Sequence, residues 1–292
     1  MLGVGENSWD HWIQLEGFPT PGEKVPVSAT GEGAGGQIAT ALRSCAELGL
    51  SAAYLGAVGA DGLGTRALAP LRSAGVDCSG VQVVPGAATR RAFIWVDGEG
   101  ERTVFAVSDP ALRMRLTELD TRRIESSALL MLDSEDLDVA RWVVARARAA
   151  GVPVLLDAER WETEVREILR EVDFPIVSGA VARQLSAAGD LGEGLRELMG
   201  ADTVMAIATL GARGAVARHG ERVLEVASPR VEVLDTTGAG DVFRGCFAWG
   251  LHRGLGAEEL LAVAVRGAAF SCSGRGAQDK LPGREDLLRG GS

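Results

Sequence analysis

The strongest chemistry in the chain is carried by Asp235-Thr236-Thr237-Gly238-Ala239-Gly240-Asp241, followed by Val242-Phe243-Arg244-Gly245. The stretch lies between a strand-like run at Val231 and Val233 and an apolar run from Val242 to Leu251 that reads as a buried helix. Gly238, Ala239 and Gly240 remove side-chain bulk where strand turns into helix. The first amides of a helix have no intrahelical partner, and with the helix dipole they favour negative charge. Asp241 falls in the first turn, where its carboxylate would repel an anion that was merely bound. The arrangement makes chemical sense if Asp241 takes a proton from a hydroxyl while the amides hold a moving phosphoryl group. The plainer reading is a tight turn with an acid at the positive end of the dipole; the length of the run favours the chemical one.

Other segments must bring a substrate to this stretch. Leu2 to Glu6 reads as a short buried strand that ends at Gly5 and opens into a site, with Asp10 between Trp9 and Trp12. Lys24 to Ala29 alternates like a strand. Gly31-Glu32-Gly33-Ala34-Gly35-Gly36-Gln37 opens a helix over Ile38–Leu48 and contains a literal G-x-G-x-x-G. A dinucleotide site would need those glycines after the first strand and an acid at the end of the second; that strand instead ends in Gly56-Ala57-Val58-Gly59. Gly56 to Gly64 reads as a loop in which Asp61 caps the helix Thr65–Ala74. Ala88–Val96 and Glu101–Val107 flank Asp97-Gly98-Glu99-Gly100, a hairpin signal. Arg90 and Arg91 at its start read as exposed charges or as groups able to reach an anionic part of a substrate.

From Thr117 onward strands and helices alternate. Strands are expected over Leu129–Leu132, Val152–Leu156 and Phe174–Val177, with helices over Leu137–Ala150 and Glu162–Val172. This implies a mainly parallel sheet covered on both faces, with ligands at the carboxyl ends of its strands. Asp133, Asp157, Glu159 and Ser178 fall there. Ala206–Leu210 and the Gly211-Ala212-Arg213-Gly214-Ala215 run read as strand, turn and strand. Ala257–Ser271 is a small-residue helix before the loop Gly274–Ala277.

A formal net charge of −10 argues against nucleic acid or an anionic membrane as partner, because either would need a basic patch. Cys45, Cys78, Cys246 and Cys272 show no C-x-x-C spacing and read as core residues of a reducing compartment. With no leader and no apolar stretch of membrane-spanning length, a soluble cytoplasmic protein is expected. The P-loop G-x-x-x-x-G-K-[ST] and the protein-kinase H-R-D set are both missing. His11, His219 and His252 lack metal-ligand spacing.

In order along the chain, these motifs resemble the ribokinase-like, or PfkB, carbohydrate kinases from residue 3 to residue 283. D-T-T-G-A-G-D-V-F-R-G is similar to the family's C-terminal signature, which implies Asp241 as catalytic base and the backbone of Gly238, Ala239 and Gly240 as anion hole. Asp10 and the turn Phe18-Pro19-Thr20-Pro21-Gly22-Glu23 resemble the family's sugar-binding Asp and the entry to its lid. Gly35 and Gly36 resemble its N-terminal glycine pair. The resemblance implies a sugar side of Asp10, Gly35, Gly36, Gln37 and Arg91. It implies an ATP side of Ser178, Thr209, Gly211, Gly214, Ala268 and Cys272, with Asp235, Thr237 and Gly276 at a monovalent cation, potassium. The implied fold is a ribokinase-like, doubly wound α/β sheet with helices on both faces and a small β lid. One domain is expected over 1–292, with lid segments near 10–29 and 86–109. ATP and Mg2+ are the implied cofactors.

Two departures stand out. Thr40 occupies a position where many members have Asn. The family's N-x-x-E is replaced by Ser178-Gly179-Ala180-Val181, which leaves the magnesium arrangement open. The G-G-x-x-A-T-A form at Gly35 and V-S-x-x-V-A at Val177 are similar to the ketohexokinase branch, and imply a ketose such as fructose or a ketose derivative bearing an acid group. A nucleoside kinase of the same fold, a dinucleotide-dependent oxidoreductase and an inactive sugar-binding homologue are the alternatives. Trp9, Trp12, Phe93 and Trp95 put apolar side chains on the lid segments, where a sheet needs a cover, so a homodimer through the lid is expected.

Overall fold

The computed structural model describes residues 1–288, so residues 289–292 of the expected domain lie outside it. Strand β1 is Leu2–Val4, β2 is Ser8–Gln14 and β3 is Ala29–Gly35, leading into helix α1, Gln37–Glu47. Then come β4 (Ala53–Leu55), β5 (Ala57–Gly59), α2 (Gly62–Ser73), β6 (Gln82–Val84), β7 (Arg91–Val96) and β8 (Arg102–Val107). The alternating half contains α3 (Thr121–Glu125), β9 (Leu130–Asp133), α4 (Leu137–Ala150), β10 (Val154–Ala158), α5 (Thr163–Leu169), β11 (Phe174–Ser178), α6 (Gly179–Gln184) and α7 (Leu191–Leu198). It closes with β12 (Ala206–Thr209), β13 (Ala215–His219), β14 (Arg222–Val226), α8 (Ala239–His252), α9 (Ala257–Ser271) and α10 (Arg284–Leu288).

The main sheet has the order β14-β13-β12-β11-β10-β9-β1-β4, parallel from β12 to β4 and antiparallel at the β13 and β14 edge. Its strands are apolar on both faces because helices cover both. Leu130, Leu132, Val154 and Leu156 point into the layer of α4, α5, α6 and α7. Met131, Leu155, Ile176 and Ile207 point into the layer of α1, α8 and α9. Chain order reverses where β1 sits between β9 and β4, which opens a crevice at the carboxyl ends of the central strands.

The lid is a second sheet, β3-β2-β7-β8, parallel between β2 and β7 and antiparallel elsewhere. Four expectations need correction. The strand expected over Lys24–Ala29 begins only at Ala29, because Pro26 lacks a donor and pairing starts where Ser28 N donates to Gln14 O, 2.9 Å. The glycine run read as a helix-opening loop is itself the lid strand β3. Its Gly31, Gly33 and Gly35 therefore sit in an antiparallel ladder, not in a phosphate-binding turn, and the dinucleotide reading falls. Val231 and Val233 form no strand; the amides of Leu234 and Asp235 both donate to Cys272 O, at 2.8 and 3.2 Å. Ala57–Gly59, read as loop, pairs with β6.

Helix α8 reaches the crevice by lying close on α1. A Cβ at Gly245 would stand 2.5 Å from Ser44 Cβ and 2.7 Å from Ala41 O. Ala is the better helix former by about 1 kcal/mol, yet Gly245→Ala should destabilise the protein by about 1–3 kcal/mol through overpacking. Urea unfolding should show a lower midpoint with an unchanged slope; an unchanged or raised midpoint would contradict the close packing.

Candidate active site

The crevice is a cavity of about 290 Å³ between the lid and the strand ends. The register of the lid decides what it presents. Asp10 on β2, Ala92 and Ile94 on β7, and Arg102, Val104 and Ala106 on β8 face inward. From the main sheet come Glu6 after β1, Glu135 after β9, Asp157 and Glu159 at the end of β10, Ser178 as the last residue of β11 and Thr209 as the last of β12. Gly238, Gly240 and Asp241 close the floor.

Gly238 is in the left-handed region, φ 77°, and a Cβ there would lie 2.8 Å from Ala277 Cα. Only glycine makes this turn, and the turn aims the start of α8 at the cavity. The amides of Gly240 and Asp241 stand in the first turn without intrahelical partners. Burial pushes the Asp241 carboxyl up to about 7, opposed by Arg244 and reinforced by Asp157. Asp241 Oδ1 accepts a hydrogen bond from Arg244 Nη2.

On the opposite wall Asp10 is 7 % exposed, and its Oδ1 accepts from Ser8 Oγ, 2.6 Å. Burial raises it to about 6, against the Ser8 bond and with the Asp235 charge. Gly35 makes room for it: a Cβ there would stand 1.8 Å from Asp10 Oδ2. Gly36, φ 89°, precedes α1 and lines the cavity with Gln37 and Arg91. Thr40 is buried and accepts from Gln278 Nε2, 3.2 Å, so its hydroxyl is engaged within the protein.

Arg90 corrects the reading as an exposed lid charge. Its side chain is 19 % exposed and forms an ion pair with Glu6. Burial pushes Glu6 up to about 8 despite this partner. Arg91 lines the cavity with no carboxylate partner among the described residues.

Ser178 lines the cavity while its Oγ caps α6, accepting from Val181 N, 3.3 Å. Thr209 stands beside it. Gly211 and Gly214 form the turn between β12 and β13, outside the cavity wall. Ala268 and Cys272 also lie outside it, at the end of α9 behind the segment at Asp235; Cys272 Sγ bonds Ala268 O, 3.3 Å. Ala239 forms the helix start without lining the cavity. Asp235 Oδ1 accepts from Thr237 N, 2.8 Å, and Oδ2 from Gly276 N, 2.7 Å. The Thr237 hydroxyl is buried with no hydrogen-bond partner, an orphaned oxygen suited to a cation beside Asp235.

Sequence reasoning missed Arg244, Arg102 and Glu6. Arg244 did leave a signal, as the one ionic side chain in the apolar run Val242–Leu251; such a residue is buried only when paired. Glu6 and Arg102 left none, because only the lid's placement brings them to the cavity.

Against known proteins, the model of the pfkB family of carbohydrate kinases matches residues 3–284. An ATP-dependent ribose-1-phosphate kinase of Halopiger xanaduensis is 30 % identical over 258 residues, 85 % of this chain and 83 % of that protein. A ribokinase of Haemophilus influenzae is 27 % identical, covering 98 % and 96 %. The fold superposes with a TM-score of 0.84 on Arabidopsis thaliana ribokinase complexed with ribose and ATP, 24 % identical, covering 99 % and 97 % of the two chains.

The Gly35–Asp10 contact is directly testable. Gly35→Ala should swing the Asp10 carboxylate away from Ser8 into solvent and lower its pKa from about 6 towards the ordinary 3.8. A carboxyl NMR titration reads the midpoint, and an unmoved midpoint would contradict the contact.

Proposed function

The chain belongs to the pfkB family of carbohydrate kinases, and from that premise we propose that it transfers the γ-phosphoryl group of ATP to a hydroxyl of a sugar. One observation carries the reading: a largely buried carboxylate at a helix start, Asp241, lines the same cavity under the lid as a second, buried carboxylate, Asp10. Asp10 binds the sugar's hydroxyls beside Gly36 and Gln37. Asp241 takes the acceptor proton as the oxygen's electron pair forms the bond to the γ-phosphorus. The bond from that phosphorus to its bridging oxygen breaks, and the pair leaves on ADP. The unpaired amides of Gly240 and Asp241 hold the charge on the moving group, so catalysis is positioning plus electrostatics. The inward Ala92 and Ile94 are buried, while Val104 and Ala106 are exposed apolar surface that a bound substrate would cover, excluding water as a competing acceptor.

Among the described residues no group of three or more His, Cys, Asp or Glu is arranged to hold a metal. An ion that arrives on the nucleotide and keeps most of its waters, as Mg2+ does, needs no such group. Glu135 and Glu159, on the cavity lining, would hold those waters. When bound, Mg2+ supplies neutralisation of the phosphate charge. Asp235, the Thr237 hydroxyl and the Gly276 turn fit a potassium ion, which would steady the loop ahead of the anion hole.

A ketose, or a sugar derivative with an acid group, is the acceptor we favour. Arg91 on the cavity wall is uncommitted, and one relative is named for an anionic sugar. The chain is read as one catalytic unit with its lid. Its four free cysteines suit a reducing cytoplasm. No helix among the described residues is long and apolar enough to cross a membrane.

A screen of ADP release over ketoses, aldoses, sugar phosphates, sugar acids and nucleosides tests the reading. Release with a sugar is the expected result. Release only with nucleosides would make the chain a nucleoside kinase, and none at all an inactive homologue. With the true sugar, kcat/KM should climb as pH rises through about 7, where Asp241 loses its proton. Asp241→Asn should lower kcat on the order of 10²–10⁴-fold and leave nucleotide affinity unchanged; wild-type turnover in that variant would refute the role.

The outer lid face exposes Ile13, Phe93, Phe105 and Val107. We read it as the contact of a homodimer formed lid to lid, because such a patch on a small sheet needs cover. Sedimentation should give a dimer at micromolar concentration, and Phe93→Asp a monomer. A wild-type monomer would count against the contact.

A further inference from the structure

We propose that Arg244 is the positioning residue of the base: its guanidinium, wedged between Asp241 and Asp157, takes Asp241 Oδ1 and so makes Oδ2 the oxygen that receives the acceptor proton. The inference rests on the kinase reading for its chemical meaning.

Arg244 lies one turn along α8 from Asp241 and is 1 % exposed. All its polar contacts go to residues at or beside the site. Nη2 bonds Asp241 Oδ1. Nη1 stands 3.4 Å from Asp157 Oδ2 at the end of β10 and 3.4 Å from Gln37 Oε1 at the start of α1. Nε bonds Gly240 O, 3.3 Å, within the anion-hole turn. One planar fork thus ties together the base, the anion hole, the sugar side and the strand end. A lysine, with a single charged point on a flexible stem, cannot make that set of contacts. Asp241 Oδ2 makes no hydrogen bond or ion pair to protein among the described residues, which leaves it for the acceptor.

The second carboxylate explains how the arrangement survives a turnover. A buried guanidinium that loses its only counter-ion is strongly destabilising. When Asp241 Oδ2 takes the proton, Asp241 becomes neutral, but Asp157 still faces Arg244. The cation is therefore paired before and after transfer, and the proton can leave Asp241 again without rearrangement of the arginine.

The charges that face Asp241 are Arg244 on its own helix, Asp157 and Glu159 from β10, and Arg102 from β8. Arg244 also feels Asp133 from β9. Burial and the two β10 carboxylates favour the protonated base, while Arg244 is the largest opposing influence and Arg102 the smaller one. Removing Arg244 should therefore raise the Asp241 midpoint, and removing the Asp157 charge should lower it.

The test uses Arg244→Met, Arg244→Lys and Asp157→Asn in the full chain. It reads both the pH profile of turnover and a carboxyl NMR titration of 13C-labelled aspartate, with Asp241→Asn identifying the resonance. Arg244→Met should move the Asp241 midpoint up by a unit or more, about tenfold in proton affinity, and shift the acid limb of kcat with it. Asp157→Asn should move both down. Arg244→Lys should restore the midpoint but not the full kcat, because charge returns without the fork. If Arg244→Met lowers kcat equally at every pH with the midpoint unmoved, Arg244 is merely structural and the proposal is overturned. If that variant does not fold, Asp157→Asn decides alone, and an unmoved or raised midpoint overturns it. A wild-type chain that releases ADP with no acceptor would sink the kinase reading, while the NMR titration would still decide whether Arg244 governs the carboxylate.

Discussion

The start of α8 has unpaired amides, and the rest of the helix gives them nowhere else to point. From Val242 to Gly250 every residue of α8 is buried. Packed against α1 and α9 along its length, the helix can meet polar groups only at its ends. Gly238 turns its N-terminus onto the reversal of strand order beside β1, where no strand closes the crevice. The requirement of first-turn amides for an anion or water is thus met where the crevice opens. The sugar side, the strand-end carboxylates and the lid are all arranged around that point.

Much of this was legible in the sequence where side chains or spacing carry the information. The helices Leu137–Ala150 and Ala257–Ser271 fall where apolar periodicity puts them. The strands β9 to β11 were found within two residues of their ends, because continuous apolar runs between helices identify buried parallel strands. The D-T-T-G-A-G-D stretch announced the glycine turn that starts α8, although the strand expected before it does not form. The glycine run at 29–35 was not legible as a strand. Glycine offers no side-chain alternation, and this segment is extended because β2 supplies a ladder for it. Its absent side chains make room for Trp12 over Gly31 and for Asp10 over Gly35. What looked like a phosphate fingerprint is clearance for a tryptophan and a carboxylate. The partners of Glu6 and Arg102 were illegible for a similar reason, since they depend on how a second sheet is set over the first.

Charge presents a related lesson. With a net charge of −10, the protein has no general attraction for phosphate. The cavity itself is rich in carboxylates, several with protons held above their ordinary range by burial. On the proposed reading, an anionic nucleotide would be received by local features: the helix start, Arg102 of the lid and a cation it brings along. Because burial raises these pKa values, it makes the carboxylates stronger bases and leaves them less charged near neutral pH, so that one wall could hold both a proton acceptor and a phosphoryl group.

The lid and the anion hole are also joined by backbone. The carbonyl of Gly100, at the hairpin tip between β7 and β8, accepts from both the amide and the hydroxyl of Thr236, each at 3.0 Å. Arg102 Nη1 reaches the same hydroxyl, 3.3 Å. Gly100 has φ 81°, and a Cβ on it would stand 2.6 Å from Val233 Cγ1, so the tip can seat only as glycine. Thr236 stands two residues before Gly238, the pivot of the α8 turn. A lid lifted from this position would give up three hydrogen bonds at the segment that sets the anion hole's geometry. The lid and the turn into α8 therefore form a single hydrogen-bonded unit, so that the placement of the cover and of the first-turn amides is set together.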